Sequence, residues 1–150
     1  MILTSSGQVR GPNVENATLA IKNSGSGEIR LGDETVQALL VTSSGSGPIL
    51  LGRVAAQRLD VEISGSGRVT VAGGEVEAQQ LQLSGSGSYL AADLVSDAVE
   101  ARVSGSGGAD VFARERLIAR LSGSGGVRYR GSAVVNAQVS GTGKVTHVEN

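Results

Sequence analysis

The sequence of 150 residues contains no cysteine and no tryptophan, and its aromatic residues are one Phe and two Tyr. The absence of cysteine excludes disulfides and thiolate metal sites. Large aromatic side chains supply much of the buried area of a thick globular core. Because hydrophobic residues still make up 39% of the chain, the composition favours a narrow core built from aliphatic side chains.

Charge of one sign and long apolar runs are also lacking. The chain has 13 basic and 14 acidic residues, for a formal net charge of −1. No basic block occurs, so nucleic acid and anionic membrane surfaces are not expected as partners. No run approaches the roughly 18 apolar residues of a membrane span, and the start of the chain has no signal-peptide pattern.

Glycine is abundant, with 23 residues, and most of it recurs in the motif Ser-Gly-Ser-Gly. The motif begins at Ser24, Ser44, Ser64, Ser84, Ser104 and Ser122. The variant Ser-Gly-Thr-Gly begins at Ser140, and a degenerate Thr-Ser-Ser-Gly begins at Thr4. This period from end to end indicates a single repeat domain that spans residues 1–150.

The residues between the motifs alternate with period two. From Leu59 to Val71 the apolar residues and the glycines occupy odd positions, and the polar residues occupy even ones. This pattern is typical of a strand with one buried face, with the serines outward and the glycines inward. The phase inverts near Gly73 and Gly74 and again before Leu81, which predicts a long bent strand, a turn, a short strand and a second turn. The spacing between motifs falls from 20 to 18 residues after Ser104, and the removal of two residues from a coil keeps each side chain on the same face.

One such coil cannot bury its own apolar face, whereas stacked coils can do so through parallel strand pairing. Crossovers between parallel strands are almost always right-handed. The sequence therefore predicts an all-β fold, a right-handed parallel β-helix (β-solenoid) with about eight coils of 18–20 residues. At the tight corners we expect glycine to keep inward Cβ atoms from colliding with the opposite wall.

No catalytic, cofactor-binding or metal-binding residues are predicted, and no enzymatic activity. The chain lacks a P-loop pattern, a repeated aspartate of the calcium-binding β-roll type and a stacked pair of carboxylates for acid/base chemistry. Asp33 and Arg53 are interpreted as a surface ion pair. His147, the only histidine, is interpreted as an ordinary surface or edge residue.

The outward serines form one extended chemical surface. The candidate ligand residues at its centre are Ser64, Ser66, Ser84, Ser86, Ser104 and Ser106. Parallel ranks of hydroxyls would suit an ordered ligand such as a glycan or ice. The alternative is that small polar residues fit a solvated corner and bond to their neighbours.

Four outward positions hold large apolar residues, namely Leu40, Leu50, Leu90 and Ile118. Leu50 and Leu90 fall in one column of the aligned repeats, and Leu40 and Ile118 fall in another. Because exposed apolar patches mark interfaces, these residues are the predicted contacts of a homo-oligomer such as a trimer.

The segments Val61–Val71, Leu121–Gly131 and Val139–Gly143 carry the repeated phrase most clearly. This phrase resembles the bacterial auto-transporter adhesin family with a head GIN domain. The resemblance implies a β-helical domain exported to the cell envelope or outside the cell, with an adhesive role and no known catalytic residues. Since no signal peptide is present in this sequence, a cytoplasmic location stays open.

The expected function is therefore that of a non-enzymatic, adhesin-like β-solenoid that mediates adhesion or scaffolding. Its expected partners are further copies of itself and a cell-surface glycan or protein. One alternative is a cytoskeleton-like rod that assembles through uncapped ends. Another is a glycan-binding or ice-binding face built on the serine ranks.

Overall fold

The computed structural model describes residues 2–5, 9–11 and 15–148, with side-chain environments from residue 18 to residue 148. Within these ranges the regular structure is entirely β-strand. The strands are β1 (Ile2–Ser5), β2 (Val9–Gly11), β3 (Glu15–Asn23), β4 (Ile29–Leu31), β5 (Glu34–Ser43), β6 (Ile49–Ile63), β7 (Arg68–Leu83), β8 (Ser88–Val103), β9 (Ala109–Leu121), β10 (Val127–Arg130), β11 (Val134–Val139) and β12 (Val145–His147).

All of the described strand pairs are parallel, and they join into one sheet in the order β1-β3-β5-β6-β7-β8-β9-β10-β12. Strand β11 pairs with β9, and β4 joins β2 to β6. Equivalent residues of successive repeats lie side by side, so that Val69 pairs with Ile49 on one side and with Tyr89 on the other. This topology confirms the predicted parallel β-solenoid.

In the part of the chain that the structure describes, the solenoid has about six turns, slightly fewer than the predicted count of about eight coils. Each Ser-Gly-Ser-Gly motif forms one corner, and the chain completes one turn between one motif and the next. The described corners run from Ser24 to Ser140, and the turns lie between them. The degenerate motif at Thr4 extends into residues 6–8, outside the described part of the chain.

Strand β7 shows how the alternation positions the core. Val69 and Val71 are buried, the phase then shifts to the even residue Val76, and it returns to odd residues at Gln79 and Leu81. Both predicted inversions are therefore present, although the second comes before Gln79 and not just before Leu81. In this coil they are bends within one continuous strand, and the chain leaves strand geometry only at the corners. Gly74 lies at the first bend with a φ of 119°, a conformation that glycine adopts without strain.

The change from a 20-residue to an 18-residue coil takes place between β8 and β9. The pairing jumps from Leu90–Asp110 to Val95–Phe112 and then from Ser96–Ala113 to Ala98–Arg116. The first shift removes residues from β9 relative to β8, and the second restores one. The net change is even, so the buried face of β9 stays on odd residues from Ala109 to Leu121.

The corner glycines are required by a different contact from the one expected. A Cβ placed on Gly65 would lie within 3.0 Å of the carbonyl oxygen of Gly45, its equivalent one coil earlier. That same oxygen accepts a hydrogen bond from the N–H of Gly67 at 3.2 Å. The primary clash is therefore with the backbone of the adjacent coil and not with the opposite wall. Glycine allows the coils to stack at the spacing that the hydrogen-bond ladder requires.

This contact leads to a prediction about the corner at Ser84 and Gly85. We expect Gly85→Val to lower the free energy of unfolding by about 3 kcal/mol or more, because the side chain overlaps the backbone of Gly65. Ser84→Val should change it by less than about 1 kcal/mol, because Ser84 is exposed. Denaturant unfolding measures both values. Equal losses of stability in the two variants would contradict the close-approach explanation.

The core contains one polar network that the sequence pattern did not reveal. Gln79 occupies the inward column that holds Leu59 in the coil before and Val99 in the coil after. Its Oε1 accepts a hydrogen bond from the Tyr89 hydroxyl at 2.9 Å, and its Nε2 donates to Ser96 Oγ. Burial raises the pKa of the Tyr89 phenol, so the hydroxyl stays protonated and remains a donor. All three side chains are buried, and together they satisfy one another.

Removal of the central member should be costly. We expect Gln79→Leu to destabilise the fold by about 1–3 kcal/mol, because the hydroxyls of Tyr89 and Ser96 lose a partner in an apolar interior. The triple variant with Gln79→Leu, Tyr89→Phe and Ser96→Ala should recover most of that loss, because no polar group is then left without a partner. Thermal unfolding of the two variants and the unmodified chain tests this. A triple variant no more stable than the single one would refute it.

Candidate recognition surface

The serines of the corners form two parallel ranks on the outside of the solenoid. The first rank consists of Ser24, Ser44, Ser64, Ser84, Ser104, Ser122 and Ser140. The second rank consists of Ser26, Ser46, Ser66, Ser86, Ser106, Ser124 and Thr142. Every one of these side chains is exposed. The ladder spaces neighbouring members of a rank by about 4.8 Å.

Most hydroxyls of the ranks make no hydrogen bond within the described part of the chain. The exceptions are Ser104 Oγ, which donates to Leu83 O at 3.5 Å, and Ser140 Oγ, which donates to Leu121 O at 3.3 Å. Both distances are longer than usual for a hydroxyl donor. The hydroxyls therefore do little to hold the corner together, and they remain available to an external partner.

The first described corner has an internal anchor of a different kind. Asn23 is buried in the column that holds Ile63 and Leu83 in later coils. Its Nδ2 donates to Gly27 O at 2.8 Å, and its Oδ1 accepts from Gly25 N at 3.3 Å. Sequence reasoning missed this residue, because Asn23 and the buried Ser43 that follows it in the column interrupt the apolar pattern that marks inward positions.

A cleft runs in the stacking direction beside the first serine rank. Its larger part, here called the basic half, has a volume of about 460 Å³. The polar side chains that line the basic half are Gln82, Arg102, Ser104, Arg120, Ser122, Gln138 and Ser140. Arg102 and Arg120 are paired in register on neighbouring strands. Arginine, amide and hydroxyl groups together can bind anionic and hydroxylated ligands.

The cleft continues towards earlier coils as the acidic half, of about 280 Å³, which shares Gln82 and Arg102 with the basic half. Its charged side chains include Asp60, Glu62 and Glu100. Arg58 Nε contacts Asp60 Oδ1 at 3.0 Å, and Arg102 Nη2 contacts Glu100 Oε1 at 3.4 Å. The two halves therefore present opposite charges along one surface.

The four apolar residues predicted as oligomer contacts do not form one patch. Leu50 and Leu90 share a column, as predicted, but Thr70 lies between them. Leu40 and Ile118 share another column, separated by Asp60, Gln80 and Glu100. Leu40 is 40% exposed, whereas the other three are half-buried. Their role as contacts stays a prediction.

Two further interpretations concern charged residues. Asp33 and Arg53 are neighbours, but Asp33 Oδ1 accepts a hydrogen bond from the backbone N–H of Arg53 at 3.0 Å. The contact is therefore a backbone hydrogen bond and not the expected ion pair between side chains. His147 is exposed, with its Nε2 3.0 Å from Gly131 O and its ring against Tyr129 at a centroid distance of 5.0 Å.

Within residues 2–5, 9–11 and 15–148, no three His, Cys, Asp or Glu side chains are grouped as a metal site would require. The same part of the chain has no helix that could cross a membrane. The candidate site is consequently the outward surface itself, made of the serine ranks and the cleft.

Comparison with known proteins adds the family to this geometry. Residues 5–133 match the family model described as "Putative auto-transporter adhesin, head GIN domain". The chain belongs to this family. The resemblance expected from the Ser-Gly-Ser-Gly phrase is thereby confirmed. Among curated protein sequences, none matches the chain.

Solved structures of similar proteins share the fold of this chain. A "putative adhesin" from Parabacteroides distasonis ATCC 8503 has a TM-score of 0.93 at 27% identity, over 98% of this chain and 63% of its own. A "Putative lipid binding protein" from the same organism has a TM-score of 0.93 at 26% identity, over 98% and 60%. A "putative adhesin" from Parabacteroides merdae ATCC 43184 has a TM-score of 0.94 at 23% identity, over 98% and 62%, and shows the fold alone. The chain thus spans less than two thirds of the length of these three structures.

The free hydroxyls lead to a stability prediction that separates recognition from structure. We expect Ser84→Ala and Ser106→Ala each to change the free energy of unfolding by no more than about 0.5 kcal/mol, because neither hydroxyl has a bond to lose. As the control, Asn23→Ala should destabilise by about 1–3 kcal/mol, because it removes two hydrogen bonds made by a buried side chain. Urea unfolding compares the three variants. Losses for the serine variants as large as for Asn23→Ala would show that the ranks are structural.

Proposed function

We propose that this head GIN chain is a non-enzymatic, adhesin-like β-solenoid of the bacterial cell envelope, which mediates adhesion or scaffolding through its outward polar surface. The observation that carries the proposal is the pair of exposed serine ranks, whose hydroxyls are almost free of internal hydrogen bonds. A solvated corner needs small polar residues, but it does not need their hydroxyls to stay free at every coil. The ranks are therefore suited to an external partner.

The backbone ladder makes this surface rigid. Hydrogen bonds continue through the corners, with Gly87 N donating to Gly65 O at 3.1 Å and Ser84 N donating to Ile63 O at 2.9 Å. Side chains on such a scaffold lose little backbone freedom when a partner binds, which favours affinity from many weak contacts. An adhesive role uses this property, because the same groups recur at each coil.

The names of the related proteins support the proposal. The family and the similar structure at 27% identity carry the name of adhesins, and the structure at 26% identity is named as a lipid binding protein. The auto-transporter description of the family supports a location at the cell envelope. The lipid name makes lipid a ligand class that an experiment on this chain must include.

Self-association is part of the proposal. Leu40 is the most exposed of the four predicted contacts, and it lies on the same sheet face as the cleft. A homo-oligomer that covers Leu40 would also cover the acidic half and leave the serine corners of later coils accessible. The proposed partners are accordingly further copies of the chain and a surface glycan or protein.

The proposed function is tested by binding of the fluorescent chain to an array that carries neutral glycans, acidic glycans, matrix proteins and lipid vesicles. We expect saturable binding to at least one arrayed glycan or protein. The quadruple variant with Ser84, Ser86, Ser104 and Ser106 changed to Ala should bind about tenfold more weakly, because several hydrogen bonds to the partner are lost.

The control variant removes two outward polar groups from other positions, through Thr35→Ala and Thr70→Ala. Both residues lie outside the serine ranks, so the control should bind like the unmodified chain. Absence of binding to every arrayed glycan and protein would overturn the proposal. If the serine variant and the control lose binding affinity equally, the proposed role of the serine ranks is wrong.

A further inference from the structure

The near-zero net charge of the chain conceals a separation of charge along the solenoid. Residues 1–100 contain six basic and eleven acidic residues, whereas residues 101–150 contain seven basic and three acidic residues. Since the coils stack in chain order, the later coils are basic and the earlier ones acidic. A field of this kind directs an anionic partner to the later coils.

The basic half of the cleft lies at that end. Arg102 and Arg120 are directly opposite one another on neighbouring parallel strands, an arrangement of like charges that destabilises a sheet. Glu100 offsets Arg102 through a contact of 3.4 Å between exposed groups, and such a pair is worth little. Arg120 makes no ion pair or side-chain hydrogen bond within the described residues. An anion bound between the two guanidinium groups would relieve this repulsion.

The neutral polar groups around the arginines indicate which kind of molecule bears the anionic groups that would bind there. Gln82 and Gln138 lie in the same column as Arg102 and Arg120, and the first serine rank runs beside that column. The cleft therefore offers an amide or guanidinium group and a hydroxyl at each coil. Groups that repeat at about 4.8 Å fit a linear hydroxylated polymer better than a compact anion.

Two other polyanionic surfaces fit less well. Nucleic acid bound as a single strand stacks its bases on aromatic side chains, and no aromatic residue lines the basic half. A lipid needs a continuous apolar seat, but Val103 and Leu121 in the cleft are buried, which leaves Val139 as the exposed apolar side chain of the basic half. Seven of the ten lining residues are instead arginine, glutamine or serine.

We propose that the basic half binds an acidic polysaccharide, with Arg102 and Arg120 holding its carboxylate or sulfate groups and the adjacent glutamines and serines bonding to its hydroxyls. This inference rests on the proposed function, because it names the ligand class of the same surface. The acidic half repels such a polymer, so the bound segment lies over the later coils. Glu100 limits affinity, because it competes for Arg102.

The experiment measures the binding of polygalacturonate to the full chain by calorimetry, with neutral dextran as the uncharged polymer. We expect polygalacturonate to bind and dextran not to bind, and the affinity to fall as salt rises from about 0.05 to 0.5 M, since exposed charges are screened. The double variant R102Q/R120Q should bind at least about tenfold more weakly, because it loses two charge-assisted contacts. Glu100→Gln should bind more tightly than the unmodified chain.

The matched control is R53Q/R68Q, which removes two exposed arginines from outside the cleft. It should alter the affinity less than twofold, and the melting temperature of each variant shows that it is folded. Equal weakening in the two double variants would overturn the proposal. Binding to phosphatidylglycerol vesicles or single-stranded DNA without binding to polygalacturonate would also overturn it.

Failure of this proposal can be distinguished from failure of the proposed function. If polygalacturonate does not bind but the array shows serine-dependent binding to a neutral glycan or a matrix protein, the acidic-polysaccharide proposal fails and the adhesive role stands. If nothing on the array binds, both fail.

Discussion

The close approach of one coil's glycine to the next coil's carbonyl oxygen is the constraint on which the rest of the structure depends. At the corner of Gly65, the oxygen of Gly45 accepts a hydrogen bond from Gly67 and also lies where a Cβ of Gly65 would be. Any side chain there would push the coils apart and strain the ladder on both sides of the corner. Glycine in the middle of a strand is normally unfavourable by roughly 0.5–1 kcal/mol. Here the stacked hydrogen bonds offset that penalty at each described corner.

The regular stack divides the side chains into an inward and an outward group, which differ in their packing and hydrogen-bonding requirements. Inward residues must fill a narrow core, and a polar residue in that core has to find its partners from neighbouring coils. Gln79, Tyr89 and Ser96 do this across three columns. Outward residues contact only solvent and their neighbours in the column, so their side chains are less constrained. The serine hydroxyls use this freedom, since within the described part of the chain Ser104 and Ser140 alone among them donate a hydrogen bond to the coil before them.

Most of the fold was predictable from the sequence, because period-two alternation and the fixed motif spacing are properties of the backbone. The buried odd residues of β7 and β9, the bend at Gly74 and the parallel stack follow from these two patterns. The steric role of the corner glycines was misassigned, because alternation gives the direction of a side chain but not the atom that it meets. Gln79 was missed because a polar residue in an apolar column looks like an outward one until its partners are known.

The site was predictable in part, for a related physical reason. Exposure of Ser64 and Ser84 follows from the alternation, but the cleft is lined by side chains from several coils, and alternation within one strand does not say which of them lie together. The pairing of Arg102 with Arg120 required the register across the bulged β8–β9 pair, where the spacing changes from 20 to 18 residues. The distribution of charged residues along the sequence was the signal that could have predicted the basic half of the cleft. A solenoid converts position in the sequence into position along its axis, so a net charge summed over the whole chain hides what each coil presents. For this architecture the informative quantity is the charge of each coil on each face, because that is what a partner lying along the surface meets.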